Sequence, residues 1–351
     1  MMAHIFKKYN KETGQKGIFV ITHKEVDIFN YIPEKLKEFY YIGVHYGSAA
    51  NLRGAIKQSY QDFCMGAEST VSFAGEQPFR IPYNSRAFTP SYFLEDKSVT
   101  KYWDIINVSR NANVKRLDQF LGAVRALYDT GNILKILLVV PGCHNEKPQS
   151  HFVDIVSVYE KMFTRKERES FTLMRLSSEL GFLGISPSTI AHFYKSSKAF
   201  CLLSSAEGES RVIHEALLCG LPVVCYSGLL GGGRDYLNKN NSAQFGDYSK
   251  IHVSLADAAA RAGKELIVDT EYMASELSET KTIPKLKELF SQLYNKDGNS
   301  FDGELINLDE LNLRLPAHYL EVPWNTEHGN GVTADIVSKE QMKIFIKELM
   351  K

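Results

Sequence analysis

The sequence predicts an α/β protein of two domains, and three observations lead to that prediction. Short apolar runs alternate with longer amphipathic runs through the middle of the chain, which is the pattern of a parallel sheet covered by helices. The chain has 351 residues, enough for two domains of ordinary size. With 44% hydrophobic and 23% charged residues, its composition is that of a globular protein and not of a disordered or fibrous one.

The first part of the chain predicts a small α/β domain. Residues 17–22 (GIFVIT) and 40–45 (YYIGVH) are short apolar runs typical of strands. The helices predicted beside them are residues 32–39 and 52–63. Residues 79–90 (FRIPYNSRAFTP) are rich in proline, asparagine and serine, which is typical of a linker. We therefore place a domain boundary there and predict a first domain over residues 1–90.

Residues 91–294 form the predicted second domain, where the alternation is clearest. Residues 103–108 (WDIINV) indicate a strand, and residues 116–128 place apolar side chains three and four apart, as in a helix with one buried face. Ser186 and Pro187 have the residue types of a helix N-cap and a first helical position. The other elements predicted here are a strand at 134–140, an amphipathic region at 152–176, a short apolar run at 180–184, a strand at 200–203, a helix at 211–219 and a strand at 221–226.

The last part of the chain, residues 295–351, changes in character. Residues 295–310 are acidic and rich in turn-forming residues, and residues 339–350 predict a final amphipathic helix. This part is therefore predicted to be a tail with one helix.

Charge and hydropathy argue against several classes of function. The 41 basic and 41 acidic residues balance, so no global field attracts nucleic acid or an anionic membrane. The longest apolar run, residues 133–140, is interrupted by Lys135 and is far shorter than the roughly 20 residues of a membrane-spanning helix. Residues 1–16 lack the apolar core of a secretory signal. We expect a cytoplasmic protein, and peripheral attachment at the inner membrane face stays open.

The segment 199–226 (AFCLLSSAEGESRVIHEALLCGLPVVCY) carries the clearest chemistry. It predicts a strand, a turn of small residues, a helix ended by Gly220 and a second strand. Small side chains in the turn leave the N–H groups of the helix start free to hold a phosphate. Glu207 and Glu215 would repel that anion, so they are better suited to accept hydrogen bonds from ligand hydroxyls, such as those of a sugar or a ribose.

This segment resembles the retaining glycosyltransferases of family 4, within the glycosyl transferases group 1. Their GT-B fold pairs two Rossmann-like domains that face a nucleotide-sugar cleft. Their signature of two glutamates with seven residues between them corresponds here to Glu207 and Glu215, and their arginine and lysine five apart correspond to Arg110 and Lys115. Further similar stretches, in family order, are residues 80–90, 180–184 and 231–235. The resemblance runs from about residue 80 to 290 and implies an α/β protein of GT-B fold.

The resemblance also implies roles for individual residues. Arg110 and Lys115 would bind the donor diphosphate and stabilise the charge on the departing nucleotide. Glu207 would contact the transferred sugar, and Glu215 would hold the ribose hydroxyls. The other residues implied to contact the donor are Gly208, Glu209, Ser210 and Arg211 at the helix start, with Phe182, Leu183 and Ile185 beside the base. No cofactor and no metal is expected, because the basic pair and the helix dipole would replace the cation.

The amino-terminal part departs from the family pattern. It is shorter than the family's usual domain, and no glycine-rich loop follows its first strand. The resemblance then implies an abbreviated acceptor-side domain over residues 1–90, a nucleotide-sugar-binding domain over 91–294, and a tail over 295–351 whose final helix packs back on the first domain. His45, at the end of YYIGVH, is the candidate catalytic residue on the acceptor side.

Simpler interpretations stay open for the same residues. Arg211 and Glu215 are four apart on a predicted helix, where a surface ion pair is common. Arg110 and Lys115, with Arg116, could form a solvated basic face. For the whole chain, the first hypothesis is a hexosyltransferase that uses a UDP-sugar or GDP-sugar and a glycan, lipid-linked glycan or small-molecule acceptor. The alternatives are a non-catalytic nucleotide-sugar-binding protein, or an epimerase or hydrolase on the same fold.

Overall fold

The structure is a computed structural model that describes residues 3–22, 34–45, 61–66, 77–83, 85–141, 154–176, 185–207 and 210–305. Contacts between Cα atoms divide the chain into two compact units. The first unit takes the described residues up to Thr89 and those from Glu279 onward, and the second unit is Pro90–Ser278.

The first unit is built on a five-stranded sheet in the order β1-β2-β3-β4-β5. The strands are β1 (Ala3–Lys7), β2 (Gly17–Thr22), β3 (Tyr40–His45), β4 (Phe63–Met65) and β5 (Phe79–Ile81), and a short helix α1 (Leu36–Phe39) precedes β3. β1 runs antiparallel to β2, and the remaining pairs are parallel. The predicted strands at 17–22 and 40–45 are confirmed. The helix predicted at 52–63 falls outside the described residues up to 60, and Phe63 begins a strand instead.

A long helix from the end of the described chain completes the core of this unit. Helix α8 (Glu279–Lys296) buries Leu286, Phe290 and Tyr294 in the same cluster as the sheet residues Ile18 and Phe63. The contact division therefore assigns α8 to the first unit, whereas the predicted second domain extended to residue 294. The difference has a physical cause, because the apolar face of α8 packs against strands that lie more than two hundred residues earlier in the sequence.

The second unit contains a parallel six-stranded sheet in the order β13-β11-β9-β6-β7-β8. The strands are β6 (Trp103–Val108), β7 (Ile136–Val140), β8 (Phe171–Arg175), β9 (Ser197–Leu202), β11 (Val223–Tyr226) and β13 (Ser242–Phe245). The chain starts in the middle with β6, passes outward to β7 and β8, returns to β9 beside β6, and continues outward to β11 and β13. The order therefore reverses between β6 and β9.

Helices cover both faces of this sheet. On one face the core includes residues of α2 (Leu117–Asp129), α3 (Ile155–Met162) and α6 (Ile251–Arg261). On the other face it includes residues of α4 (Pro187–Lys195), α5 (Arg211–Leu218) and α7 (Thr270–Leu277). The predicted α/β class is confirmed, and this arrangement is a doubly wound parallel sheet.

Local signals in the sequence correspond closely to these elements. The segment WDIINV forms β6, Ser186 accepts a hydrogen bond from the Thr189 N–H as the N-cap of α4, and Pro187 is the first residue of that helix. Gly220, at a φ of 76°, ends α5 as predicted. The amphipathic region at 152–176, which the sequence did not divide into elements, contains both α3 and the edge strand β8.

Among the described helices, none is both long enough and apolar enough to cross a membrane. The final helix predicted at residues 339–350 lies outside the described residues.

The sheet of the first unit depends on a close approach at Gly43 in β3. A Cβ atom at this position would lie 2.2 Å from the ring of Phe63, its partner on β4, and the Phe63 ring is held edge-on against Phe290 at 5.5 Å. We predict that Gly43→Ala lowers the free energy of unfolding by about 1–3 kcal/mol, because the buried ring has no free space to move into. Thermal or urea unfolding measures the change.

Gly122→Ala is the matched control for this prediction. Gly122 lies on the exposed side of α2, where an added Cβ meets no atom within 4 Å. Alanine should there stabilise the protein by roughly 0.5–1 kcal/mol, since it reduces the backbone entropy lost on folding. Equal unfolding midpoints for both variants would show that the space at Gly43 is not limiting.

Candidate functional site

The candidate site lies at the carboxyl edge of the six-stranded sheet, where the strand order reverses. β6 and β9 are neighbours and run parallel, so both end at this edge. Residues 109–116 follow β6, and residues 203–207 follow β9. Doubly wound sheets bind ligands at such a reversal, because the loops leaving the two strands diverge and open a crevice.

An ion pair joins these two loops. Lys115, the last residue of a 3₁₀ turn after β6, places its Nζ atom against Oε1 of Glu207. Both side chains are only 12% exposed, so the pair is shielded from solvent. The structure thus brings together two of the predicted catalytic residues, which are 92 positions apart in the sequence.

A short ribbon fixes the backbone at Glu207. The strand β10 (Ala206–Glu207) pairs in parallel with β12 (Leu230–Gly231), and the Leu230 N–H donates to the Ser205 carbonyl at 3.0 Å. Gly231 opens the glycine run that the sequence analysis matched to the family. At Gly233, φ is 96° and an added Cβ would lie 3.0 Å from the Ile213 side chain of α5. The run is therefore packed against the start of α5 and is not a free turn.

Four polar side chains at this edge are buried without a hydrogen-bond partner in the described part of the chain. They are Asn107 in β6, Ser109 just after it, Ser204 just after β9 and Ser210, the N-cap residue of α5. Leaving a buried polar group unpaired costs about 1–3 kcal/mol, so buried groups normally find a partner. Their clustering at the ends of β6 and β9 indicates a place where ligand or water atoms complete the hydrogen bonds.

The helix α5 carries the other predicted donor residues. Arg211 is its first residue, and its Nη2 atom lies 3.9 Å from Oε1 of Glu215 one turn later. The ion pair that the sequence left open is therefore present, at the limit of ion-pair distance. Glu215 has a side chain only 13% exposed, and burial raises its pKa, opposed by the Arg211 guanidinium and the Tyr194 hydroxyl.

The structure describes some of the remaining predicted site residues and not others. Arg110 is exposed in the loop after β6, and Ile185 lies just before the N-cap of α4 and packs against the core shared with α5. His45 is the buried last residue of β3 in the first unit. Gly208, Glu209, Phe182 and Leu183 lie outside the described residues. Their roles stay predictions.

Sequence reasoning did not select some residues that this site contains. Asn107 had a usable signal, since an amide among the apolar residues that end β6 is unusual in a buried sheet. Ser204 belongs to the predicted turn of small residues, but no role was predicted for its hydroxyl, and Ser109 had only a weak signal as a small polar residue at a strand end. Tyr248, whose ring lies beneath the Arg116 guanidinium, had none.

Metal ligation gives a separate observation. Within the described ranges, no three His, Cys, Asp or Glu side chains come together as a metal site would require. The four described cysteines, at positions 64, 201, 219 and 225, are buried free thiols whose pKa burial raises. Metal independence of any activity stays a prediction.

Several solved structures are similar to this chain in fold. The pneumococcal O-GlcNAc transferase GtfA in complex with UDP and GlcNAc is 13% identical, with a TM-score of 0.52 over 74% of this chain and 54% of that one. TarM is also 13% identical, with a TM-score of 0.52 over 78% of this chain and 54% of that one. Sucrose-phosphate synthase from Thermosynechococcus elongatus is 14% identical, with a TM-score of 0.50 over 73% and 69%.

These likenesses establish the fold, and they confirm the predicted GT-B class. The chain spans about half the length of the first two structures. No curated protein sequence matches it. The family described as "Glycosyl transferases group 1" matches residues 92–271, which is more than half of the 351 residues and includes the whole candidate site. By that match, this chain belongs to the glycosyl transferases group 1.

Proposed function

We propose that the chain is a retaining glycosyltransferase that moves a hexose or related sugar from a nucleoside-diphosphate sugar to a glycan, a lipid-linked glycan or a small molecule. The observation that carries this proposal is the shielded Lys115–Glu207 pair, together with the buried hydroxyls of Ser109, Ser204 and Ser210, which have no hydrogen-bond partner among the described residues. A cation and several hydroxyl donors suit a diphosphate, and a carboxylate among them suits the hydroxyls of a sugar.

The positive charge for the diphosphate would come from three sources. Lys115 contacts Glu207, which comes three residues before the N-cap of α5 in the sequence, and the N–H groups of that helix start carry the positive end of the helix dipole. Arg110, exposed on the same loop as Lys115, is free to turn toward a bound phosphate. Together they would stabilise the charge that develops on the nucleoside diphosphate as the glycosidic bond to it breaks.

Glu207 has two roles in this proposal. Before the donor binds, its carboxylate balances the charge of the Lys115 ammonium, which lowers the cost of holding a cation in a shielded place. When the donor binds, phosphate oxygens can share the ammonium, and the carboxylate is then available to accept hydrogen bonds from the sugar hydroxyls. Glu215, deeper on α5, would accept the ribose hydroxyls. Retention of anomeric configuration is proposed from the two-glutamate signature.

The donor base is chosen for testing from the similar structures. GtfA was solved with UDP and GlcNAc, so UDP-GlcNAc is the first donor to try, and GDP-sugars form the second set. Glu207 and Glu215 are compatible with either base, because in this proposal they contact the transferred sugar and the ribose and not the base.

The first prediction tests this function directly. One nucleoside diphosphate should raise the melting temperature of the full chain, since a ligand at a hundred times its dissociation constant stabilises by about 2.7 kcal/mol. Incubation of the matching sugar donor with glycan, lipid-linked and small-molecule acceptors should then give a glycosylated product whose anomeric configuration NMR reads. Transfer should persist in EDTA, because Lys115, Arg110 and the α5 start supply the positive charge.

Three other results would contradict parts of this proposal. Nucleotide binding without any transfer would indicate a binding protein, and loss of the donor sugar without an acceptor would indicate a hydrolase or an epimerase. Transfer that stops in EDTA and returns with manganese would show that the catalytic cation is a metal.

The second prediction concerns Arg110. Arg110→Ala should lower kcat by about a hundredfold, the scale of removing one preorganised transition-state group, with a smaller effect on donor affinity. Steady-state kinetics with calorimetry of nucleoside-diphosphate binding separates the two effects. Arg261→Ala on α6 is the control, since it removes a surface guanidinium paired with Asp257 and Glu265. Unchanged kcat in Arg110→Ala would remove Arg110 from the site.

The third prediction concerns Glu215, whose buried carboxylate lowers the stability of the folded chain when it is ionised. Because burial raises the pKa of Glu215, ionisation destabilises the folded chain above the ordinary value of 4.5. Glu215→Gln should therefore melt higher than the wild type at neutral pH, and the difference should disappear as the pH falls toward 4.5. The same variant should bind the nucleoside diphosphate more weakly, because the amide is a poorer acceptor for ribose hydroxyls.

Glu271→Gln is the matched control for Glu215→Gln. Glu271 is exposed in the first turn of α7, so its replacement loses only a favourable interaction with the helix dipole; the melting temperature should fall slightly, opposite to the rise expected for Glu215→Gln, and nucleotide binding should not change. A Glu215→Gln variant that binds nucleotide as tightly as the wild type would show that Glu215 holds no ribose.

A further inference from the structure

We propose that Tyr248 is a positioning residue that holds the Lys115 and Glu207 loops together. Its role in turnover rests on the proposed glycosyl transfer, but its contacts are visible without that function. Tyr248 lies after β13, outside every segment that the family resemblance singled out. It touches both loops of the site, one through its hydroxyl and the other through its ring.

The hydroxyl contact reaches the loop that carries Glu207. The Tyr248 O–H donates to the Leu203 carbonyl at 3.1 Å, at the point where the chain leaves β9. Four residues later the chain reaches Glu207, whose backbone is held in the β10–β12 pair. Burial raises the pKa of Tyr248, so the hydroxyl keeps the proton that it donates across the neutral range.

The ring contact reaches the loop that carries Lys115. The Arg116 guanidinium carbon lies 4.2 Å from the centre of the Tyr248 ring, within the range of a cation–π contact. Arg116 directly follows Lys115 and is the N-cap residue of α2. Its backbone has a φ of 51°, and it is the one residue other than glycine with a positive φ in the described part of the chain. This left-handed conformation is costly for a side chain with a Cβ, so a neighbouring contact must hold it.

The Tyr248 ring is itself fixed from the other side. It stacks on Tyr226 with ring centres 5.0 Å apart and 29° between the planes, and it meets the edge of Phe245 at 5.2 Å. Tyr226 and Phe245 end the strands β11 and β13. Through Tyr248, the rigid sheet edge therefore sets the position of both loops, and the Lys115–Glu207 pair spans the gap between them.

A positioning role differs from a purely structural one in what it changes. If Tyr248 only stabilises the fold, its replacement lowers the melting temperature and leaves the site of the remaining folded protein intact. If it positions the pair, its replacement also exposes Lys115 and lowers kcat more than it changes the donor KM. A displacement of reacting groups by about 1 Å costs up to a hundredfold in rate.

Two variants of Tyr248 and one of Arg116 separate the contacts. Tyr248→Phe removes the hydrogen bond to Leu203 and keeps the ring, whereas Tyr248→Leu removes both contacts. Arg116→Gly removes the guanidinium, and glycine adopts the positive φ without strain. This variant therefore tests the contact between Arg116 and Tyr248 in a chain whose backbone is not strained at that position. The control is Tyr128→Phe, because the Tyr128 hydroxyl donates to the Leu134 carbonyl at 2.7 Å and Arg125 lies over its ring at 5.9 Å, at the far end of α2.

The deciding measurement is the rate at which an amine-reactive reagent acetylates Lys115 in the full chain, measured by mass spectrometry relative to the exposed Lys264. We expect the rate of Lys115 acetylation to rise by about fivefold or more in Tyr248→Leu and Arg116→Gly, since losing one hydrogen bond or cation–π contact changes an equilibrium by a factor of that order. Tyr248→Phe should give a smaller rise, and Tyr128→Phe none.

Steady-state kinetics of sugar transfer is measured on the same variants. With transfer established for the wild type, kcat should fall by about tenfold to a hundredfold in Tyr248→Leu and stay at the wild-type value in Tyr128→Phe. Lys115 acetylation equal to the wild type in Tyr248→Leu and Arg116→Gly would overturn the proposal. If the wild type transfers no sugar at all, the proposed function fails, and the acetylation rates still decide whether Tyr248 holds the pair.

Discussion

The Lys115–Glu207 ion pair is the contact on which the candidate site depends. It joins the loop after β6 to the loop after β9, two strands that are neighbours only because the sheet is doubly wound and its order reverses between them. Without the reversal, the two loops would leave the sheet in the same direction and no crevice would open. The pair is also shielded, so the attraction between its charges is stronger than at an exposed surface.

Several features of the site are costly to the folded state. Among the described residues, the buried hydroxyls of Ser109, Ser204 and Ser210 find no partner, Glu215 has a raised pKa, and Arg116 has a left-handed backbone. They lie in the loops that follow β6 and β9 and in α5, in a unit whose sheet has a hydrophobic core on each face. Such costs are common where a protein is organised for a ligand, because groups that would be satisfied in a purely structural protein are kept available.

The first unit shows how strongly distant parts of the chain depend on one another. Its sheet is formed early in the sequence, but its core is completed by α8, which follows the whole second unit. Within α8, the Tyr294 hydroxyl donates to the Lys16 carbonyl at 2.5 Å, and beyond the helix Asp302 pairs with Lys7 of β1 at 2.5 Å. The first unit is therefore built from two separate parts of the sequence, and a domain boundary at residue 294 would cut through α8.

The sequence by itself determined the features that depend on near neighbours. The strand at 103–108, the N-cap at Ser186, the end of α5 at Gly220 and the spacing of Glu207 and Glu215 are all set within a few residues, and the α/β class follows from their alternation. Only the tertiary structure decided that β8 is a strand within an amphipathic region, that α8 belongs with the first unit, and that Tyr248 touches both loops of the site. Those features depend on pairings across tens to hundreds of residues, and the periodicity of a single segment contains no information about which distant surface will cover it.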